Sequence, residues 1–214
     1  MATTSTTTTE GTTTTTAAPR PPDFVRVWSL VPSPSTSCLL VAEGDTVYAL
    51  HNEDLPLIPA STLKLVVAAA DPDDERVPAI LRDSDNDAAR ALVEDLGGVH
   101  AVLDRIPLDF EAGSVVVRDA TGHDRGNRVT CTALRSILLR HDFRDSLAVA
   151  GESGTLRDRF VEHRGLIAAK TGSIGGVAAL AGYAGPVVFA MVLNGVDDAA
   201  PVFEALVDEL VLIE

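Results

Sequence analysis

Lysine is almost absent from this 214-residue chain. Of 17 basic side chains only Lys64 and Lys170 are lysines, and the rest are arginine. Positive charge is scarce altogether, since 31 acidic residues leave a formal net charge of −14. That balance argues against nucleic acid as a partner, because phosphates must be met by Lys and Arg, and against an anionic membrane surface. Cysteine is limited to Cys38 and Cys131, too few for a disulfide scaffold. The two could form one bridge in an exported protein or stand as separate buried thiols. The five histidines lack the i,i+4 or Cys/His spacing of a metal site. The acidic run Asp71–Glu75 lacks the glycine of an EF-hand loop. No metal and no cofactor are expected.

What is present is the composition of a soluble globular protein, 46% hydrophobic and 22% charged. Residues 1–22, MATTSTTTTEGTTTTTAAPRPP, are a different material: a Thr-rich stretch ending in prolines, with nothing apolar to bury, expected to be a disordered stalk or linker. It has neither the charged start nor the apolar core of a signal peptide, so an export signal or anchor would have to lie outside this chain. Residues 23–214 read as a single domain. Residues 37–43 and 46–51 form a strand pair turned at Gly44-Asp45. Ala60–Ala70 reads as a helix entered from Pro59, DPDDERVP as a polar turn, and Asp87–Leu96 as a helix closed by Gly97-Gly98. Ser114–Arg118 is a short β run, followed by a loop and a helix near 130–140. From Thr171 to Val196 there is no charge at all. Its glycines and Pro186 split that stretch into two strand-length runs, 177–184 and 187–193, which predicts a buried hairpin and no membrane insertion. The final segment from Asp198 spaces Val202, Phe203, Leu206, Val207 and Leu210 along one helical face behind Pro201. This order predicts an α+β fold, a sheet covered by helices.

Both lysines fall in motifs. Ser61-Thr62-Leu63-Lys64 places Ser and Lys at i and i+3, on one helical face. A lysine out of water and near another cation can lose its proton near neutrality and act as base for the serine, whereas arginine stays charged. Alone, SxxK means little: on the order of one per chain is expected. Ser84-Asp85-Asn86 stands just before a helix and would also serve as an N-cap cluster. Lys170-Thr171-Gly172 is expected to open a β run, with the cation and hydroxyl forming an anion site and the glycine admitting a substrate backbone. Each tripeptide alone is expected in only ~a few per cent of chains this long. All three in this order, using both lysines, is a far more specific signal.

SxxK, SDN and KTG in this order are the motif set of β-lactamases and penicillin-binding proteins. YALHNEDLPLIPASTLKL, LRDSDNDAARALVEDLGG, DATGHDRGNRVT and GESGTLRDRF together resemble the D-alanyl-D-alanine carboxypeptidases/endopeptidases, the DacB-like low-molecular-mass penicillin-binding proteins, over nearly everything from residue 37 onward. The resemblance implies a β-lactamase/transpeptidase-like fold and acyl transfer on peptidoglycan stem peptides, with β-lactam antibiotics as further ligands and an extracytoplasmic location. It implies Ser61 as nucleophile, Lys64 as proton acceptor and Ser84 as proton relay. Asn86, Lys170, Thr171, Gly172 and Ser173 would bind substrate, and the Ser61 and Ser173 N–H groups would form the oxyanion hole. The chain departs from the family in leaving only 19 residues between Lys64 and Ser84, where relatives carry a large insertion with extra domains. The helical side of the cleft should therefore be reduced. Ala120, His123 and Asp124 also depart from the family's loop. A β-lactamase of class A would need a glutamate in an E-x-x-L-N segment, which is missing. Ser153 in GESG reads as a turn residue. A non-enzymatic alternative is a penicillin-fold protein that binds muropeptides or a cell-wall partner.

Overall fold

The computed structural model describes residues 21–107 and 110–213. Residues 1–20, most of the Thr-rich stretch, lie outside the described residues. In chain order the elements are α1 (Phe24–Ser29), β1 (Ser37–Glu43), β2 (Thr46–His51), α2 (Leu63–Ala69), α3 (Val77–Arg82), α4 (Asn86–Asp95), α5 (Val99–Arg105), β3 (Val115–Val116), β4 (Arg128–Val129), α6 (Cys131–Arg140), β5 (Ala148–Val149), β6 (Ile167–Ile174), β7 (Val177–Ala184), β8 (Val187–Asn194) and α7 (Ala200–Leu210). Six strands form one antiparallel sheet in the order β2-β1-β8-β7-β6-β5, and β3 pairs with β4 separately.

Both faces of the sheet are covered. Cys38, Leu40, Ala181, Ala190 and Val192 join a core with α2 to α6, while Leu39, Val41, Leu180, Phe189 and Met191 join a second core with α1 and α7. Alternate residues of each strand thus enter different apolar layers, which is why the central strands read as unbroken hydrophobic runs. The charge-free stretch is the β7–β8 hairpin and its flanks, and no helix among the described residues is long and apolar enough to cross a membrane.

Several local expectations need correction. The first predicted helix is two pieces, a 3₁₀ turn at Ala60–Thr62 and then α2, because Ala60 takes a left-handed backbone (φ 48°) behind Pro59. The polar turn ends where α3 begins, with Pro78 in the first helical turn, where a missing N–H costs nothing. Lys170 lies inside β6, which starts three residues earlier at Ile167. The short β run narrows to Val115–Val116. Helices α1, α3 and α5 lie outside the elements read from the sequence; α1 is held by an Asp23 cap and by the buried Glu209 carboxylate of α7, which accepts from Asp23 N and Arg26 Nη1. Of the two readings for the cysteines the disulfide is the one found: Cys38 of β1 is bonded to Cys131 at the start of α6, with Cα atoms 6.2 Å apart.

Candidate active site

Pairing on both sides fixes the segment that delivers Ser61. Leu57 bridges to Val129 through two backbone bonds. The Asn194 amide then grips the Ile58 peptide from both sides, accepting from its N–H and donating to its carbonyl at 3.0 Å each. Thr62 Oγ1 donates back to Pro59 O at 2.7 Å, closing the turn. Ser61 therefore sits half-exposed at the junction into α2, and Lys64 follows one turn later with no solvent-exposed surface.

Lys64 Nζ gathers the site. It lies within hydrogen-bond distance of four oxygens, Ser61 Oγ at 3.2 Å, Ser84 Oγ at 3.3 Å, Asn86 Oδ1 at 2.8 Å and the Thr121 carbonyl at 3.1 Å, of which its three N–H groups can serve three at a time. The three residues of Ser-Asp-Asn divide their contacts. Asp85 is the N-cap of α4, accepting from Asp87 N and Ala88 N, while Ser84 and Asn86 on either side turn to the lysine. Ser84 does so from a left-handed backbone (φ 60°), a conformation seldom adopted by non-glycine residues. Sparsely populated backbones held in place by their surroundings cluster at functional sites.

Strand β6 supplies the opposite wall. A Cβ on Gly172 would stand 2.8 Å from Pro59 O and 3.1 Å from both Ser61 N and Thr62 N, so only glycine lets the strand lie against the Ser61 turn. Strand β5 pairs with β6 only at Ala168 and Ala169, leaving the edge open beyond. The Gly175-Gly176 turn makes Ile174↔Val177 the closing pair, so residues 171 and 173 point their N–H and C=O groups away from β7, toward that edge. Lys170 is fully buried and donates to the Thr171 carbonyl at 2.9 Å, with no hydrogen bond to Ser61 or Ser84. The Thr171 hydroxyl donates to Thr155 Oγ1 at 2.9 Å, and Ser173 is exposed.

Burial, opposed by the charge of Asp119 and reinforced by that of Arg90, lowers Lys64 to about 8. Burial and then the neighbouring Lys64 lower Lys170 to about 7. A hydroxyl within hydrogen-bond distance of a buried amine whose pKa burial lowers has the arrangement that a nucleophile and its base require. No group of three or more His, Cys, Asp or Glu among the described residues could hold a metal ion.

Sequence reasoning nominated eight residues, and the structure gathers Ser61, Lys64, Ser84 and Asn86 around one amine, with Gly172 packed on the same turn. It missed Asn194, Thr155 and the Thr121 carbonyl. The available signal was the dense Asp/Gly/Asn pattern of residues 119–127, characteristic of loops shaped by side-chain-to-backbone bonds.

The family described as D-Ala-D-Ala carboxypeptidase 3 (S13) matches residues 71–210. A D-alanyl-D-alanine carboxypeptidase from Actinomadura sp. (strain R39) is 31% identical over 153 residues, covering 56% of this chain and 28% of that protein. The chain thus spans less than a third of that relative's length. Penicillin-binding protein 4 from Haemophilus influenzae superposes with a TM-score of 0.54 at 24% identity, over 63% of this chain and 39% of that one. A class A β-lactamase from Clostridium kluyveri gives a TM-score of 0.65 at 14% identity, over 88% and 95% of the two chains. These likenesses identify the fold as the β-lactamase/penicillin-binding type, an antiparallel sheet covered by helices.

Proposed function

The chain belongs to the D-Ala-D-Ala carboxypeptidase 3 (S13) family, and on that premise we propose that it is a serine-type D-Ala-D-Ala carboxypeptidase acting on peptidoglycan stem peptides. Residues 23–214 are its penicillin-binding domain, and its location is extracytoplasmic. The observation that carries this reading is the Lys64 amine, buried, lowered to about 8 and within 3.2 Å of Ser61 Oγ.

Ser61 Oγ bonds to the carbonyl carbon of the penultimate D-Ala while its proton passes to neutral Lys64. The oxyanion that forms is met by the N–H groups of Ser61 and Ser173, the second of which belongs to the open edge of β6. The C–N bond then breaks, and the proton returns from Lys64 through Ser84, 3.3 Å away, to the departing D-Ala amine. Water, activated by the same lysine, adds to the Ser61 ester and releases the shortened peptide. Asn86 holds Lys64 and the substrate amide. Lys170, Thr171, Gly172 and Ser173 line the side on which the terminal carboxylate binds, and the arriving carboxylate would favour the charged form of Lys170.

The same Ser61 takes up β-lactams as stable esters. A fluorescent penicillin should label the protein covalently at Ser61, S61A should abolish the label, and an acyl-D-Ala-D-Ala peptide should yield free D-Ala. Peptide binding without labelling or D-Ala release would support the muropeptide-binding alternative instead. Rapid nitrocefin turnover with little peptide hydrolysis would point to a β-lactamase.

A further inference from the structure

The loop between β3 and β4 reaches Lys64 and Ser61 through the Thr121 carbonyl, which accepts from Lys64 Nζ at 3.1 Å and lies 3.4 Å from Ser61 Oγ. One carboxylate organises that loop. Asp119 accepts from Thr121 Oγ1 at 2.5 Å, Gly122 N at 3.0 Å, His123 N at 3.2 Å and Asn127 Nδ2 at 2.7 Å. Asn127 is itself fully buried and ties the loop's two ends, donating to Asp124 O and accepting from Arg118 N. The hydroxyl of Thr121 has one proton, which goes to Asp119. The 2.9 Å contact from His123 Nδ1 must therefore be a donation into Thr121 Oγ1, extending the chain of bonds to the surface. Burial works against an ionised Asp119, but these side-chain and backbone donors outweigh it and hold the carboxyl below its ordinary range. At Gly122 a Cβ would come within 2.0 Å of Ala60 O, so the loop is seated directly on the peptide preceding Ser61.

We propose that Asp119 is a positioning residue of this site: it aims the Thr121 carbonyl at Lys64 and supplies the negative charge that faces the lysine from this loop. The role in turnover rests on the acyl-transfer reading; the charge on Lys64 does not. The other charged groups facing Lys64 are Asp85 and Arg90 from α4 and its cap, and Lys170 from β6. Replacing Asp119 with Asn removes a favourable partner of the ammonium, so Lys64 should lose its proton at lower pH.

Because the chain has two lysines, lysine labelled with ¹³C at Cε gives two resonances, assigned with K170R. In D119N the Lys64 midpoint should fall. The acid limb of acylation by a fluorescent penicillin should move down with it, and the plateau rate should drop on the order of tenfold as the carbonyl loses its aim. An unmoved midpoint overturns the proposal, whatever the rate does. A moved midpoint with an unchanged plateau rate overturns the positioning role. Should D119N fail to fold, T121V removes the hydroxyl with its bonds to Asp119 and His123 and keeps the carboxylate. It should slow acylation with the Lys64 midpoint unchanged, and undiminished acylation would overturn the positioning role. If the unmodified protein takes up no penicillin, the acyl-transfer reading fails, and the lysine titration alone decides whether Asp119 faces Lys64.

Discussion

An ammonium with no exposed surface and four oxygen partners could be structural or reactive, and the choice of Lys over Arg separates the two. A structural buried cation is served at least as well by arginine, whose planar fork satisfies several acceptors and never loses its charge. This chain uses arginine nearly everywhere else, so K64R is a test of chemistry rather than of charge. Acylation by fluorescent penicillin should fall by about 100-fold or more, the usual weight of a positioned general base. Labelling at the unmodified rate would reject Lys64 as base. Stability gives a second check. Unfolded lysines titrate near 10.5, and the folded values are about 8 for Lys64 and about 7 for Lys170. Between those limits the unfolded chain binds more protons, so stability rises with pH from about 7 to about 10 and is lost as pH falls back through the folded values. Tyr183, whose hydroxyl burial pushes up to about 12, opposes this trend above pH 10. Melting temperatures measured from pH 7 to 9.5 should rise more steeply in the unmodified protein than in K64M. Parallel curves would mean that Lys64 is not held below its ordinary value.

Elements meet at this site through missing side chains. Gly172 lets β6 touch the Ser61 turn, and Gly122, at φ 87°, lets the β3–β4 loop lie on Ala60. An alanine at 122 would meet backbone atoms that cannot rotate away, in a conformation that L-residues avoid. G122A should therefore slow Ser61 acylation by on the order of tenfold or more and lower stability by about 1–3 kcal/mol, read by labelling rate and urea unfolding. A variant with wild-type values would show the contact to be slack. The same elements explain what the sequence could reveal. SxxK was legible because i,i+3 spacing brings two side chains together within one helix, and the β1–β2 and β7–β8 hairpins because turn residues and apolar runs are local. Asn194 lies 136 positions from its partner Ile58, and no local pattern announces such a bond. Helix α1 is six residues long, too short for a period to stand out, and owes its place to α7. Lys170 reads as the start of its strand because Ile167–Ala169 is too short a run to stand out without its pairing to β7.

The whole molecule closes its fold with one long-range covalent link. The chain spans 28% of the length of its Actinomadura relative; here α2 passes by a short turn to α3, and α2 to α6 form a small helical layer over one face of the sheet. The family match starting at residue 71, beyond Lys64, coincides with that junction. A reduced layer buries less apolar surface and has less packing to hold it on the sheet. The Cys38–Cys131 bridge crosses between β1 and α6, joining sheet and helical layer, with 93 positions between its ends and both residues fully buried. A cross-link across so long a loop removes much freedom from the unfolded chain, and losing a native one typically costs about 2–5 kcal/mol. The double variant C38A/C131A should accordingly melt roughly 5–20 °C lower than the oxidised protein. Because neither cysteine belongs to the Ser61–Lys64–Ser84 cluster, its labelling by penicillin should persist in the cold and fail on warming as the helical layer separates. An unchanged melting temperature would show that packing alone carries the small layer. Loss of labelling in the cold with the melt intact would instead place the bridge within the geometry of the site, acting through Val129 and its paired neighbour Leu57.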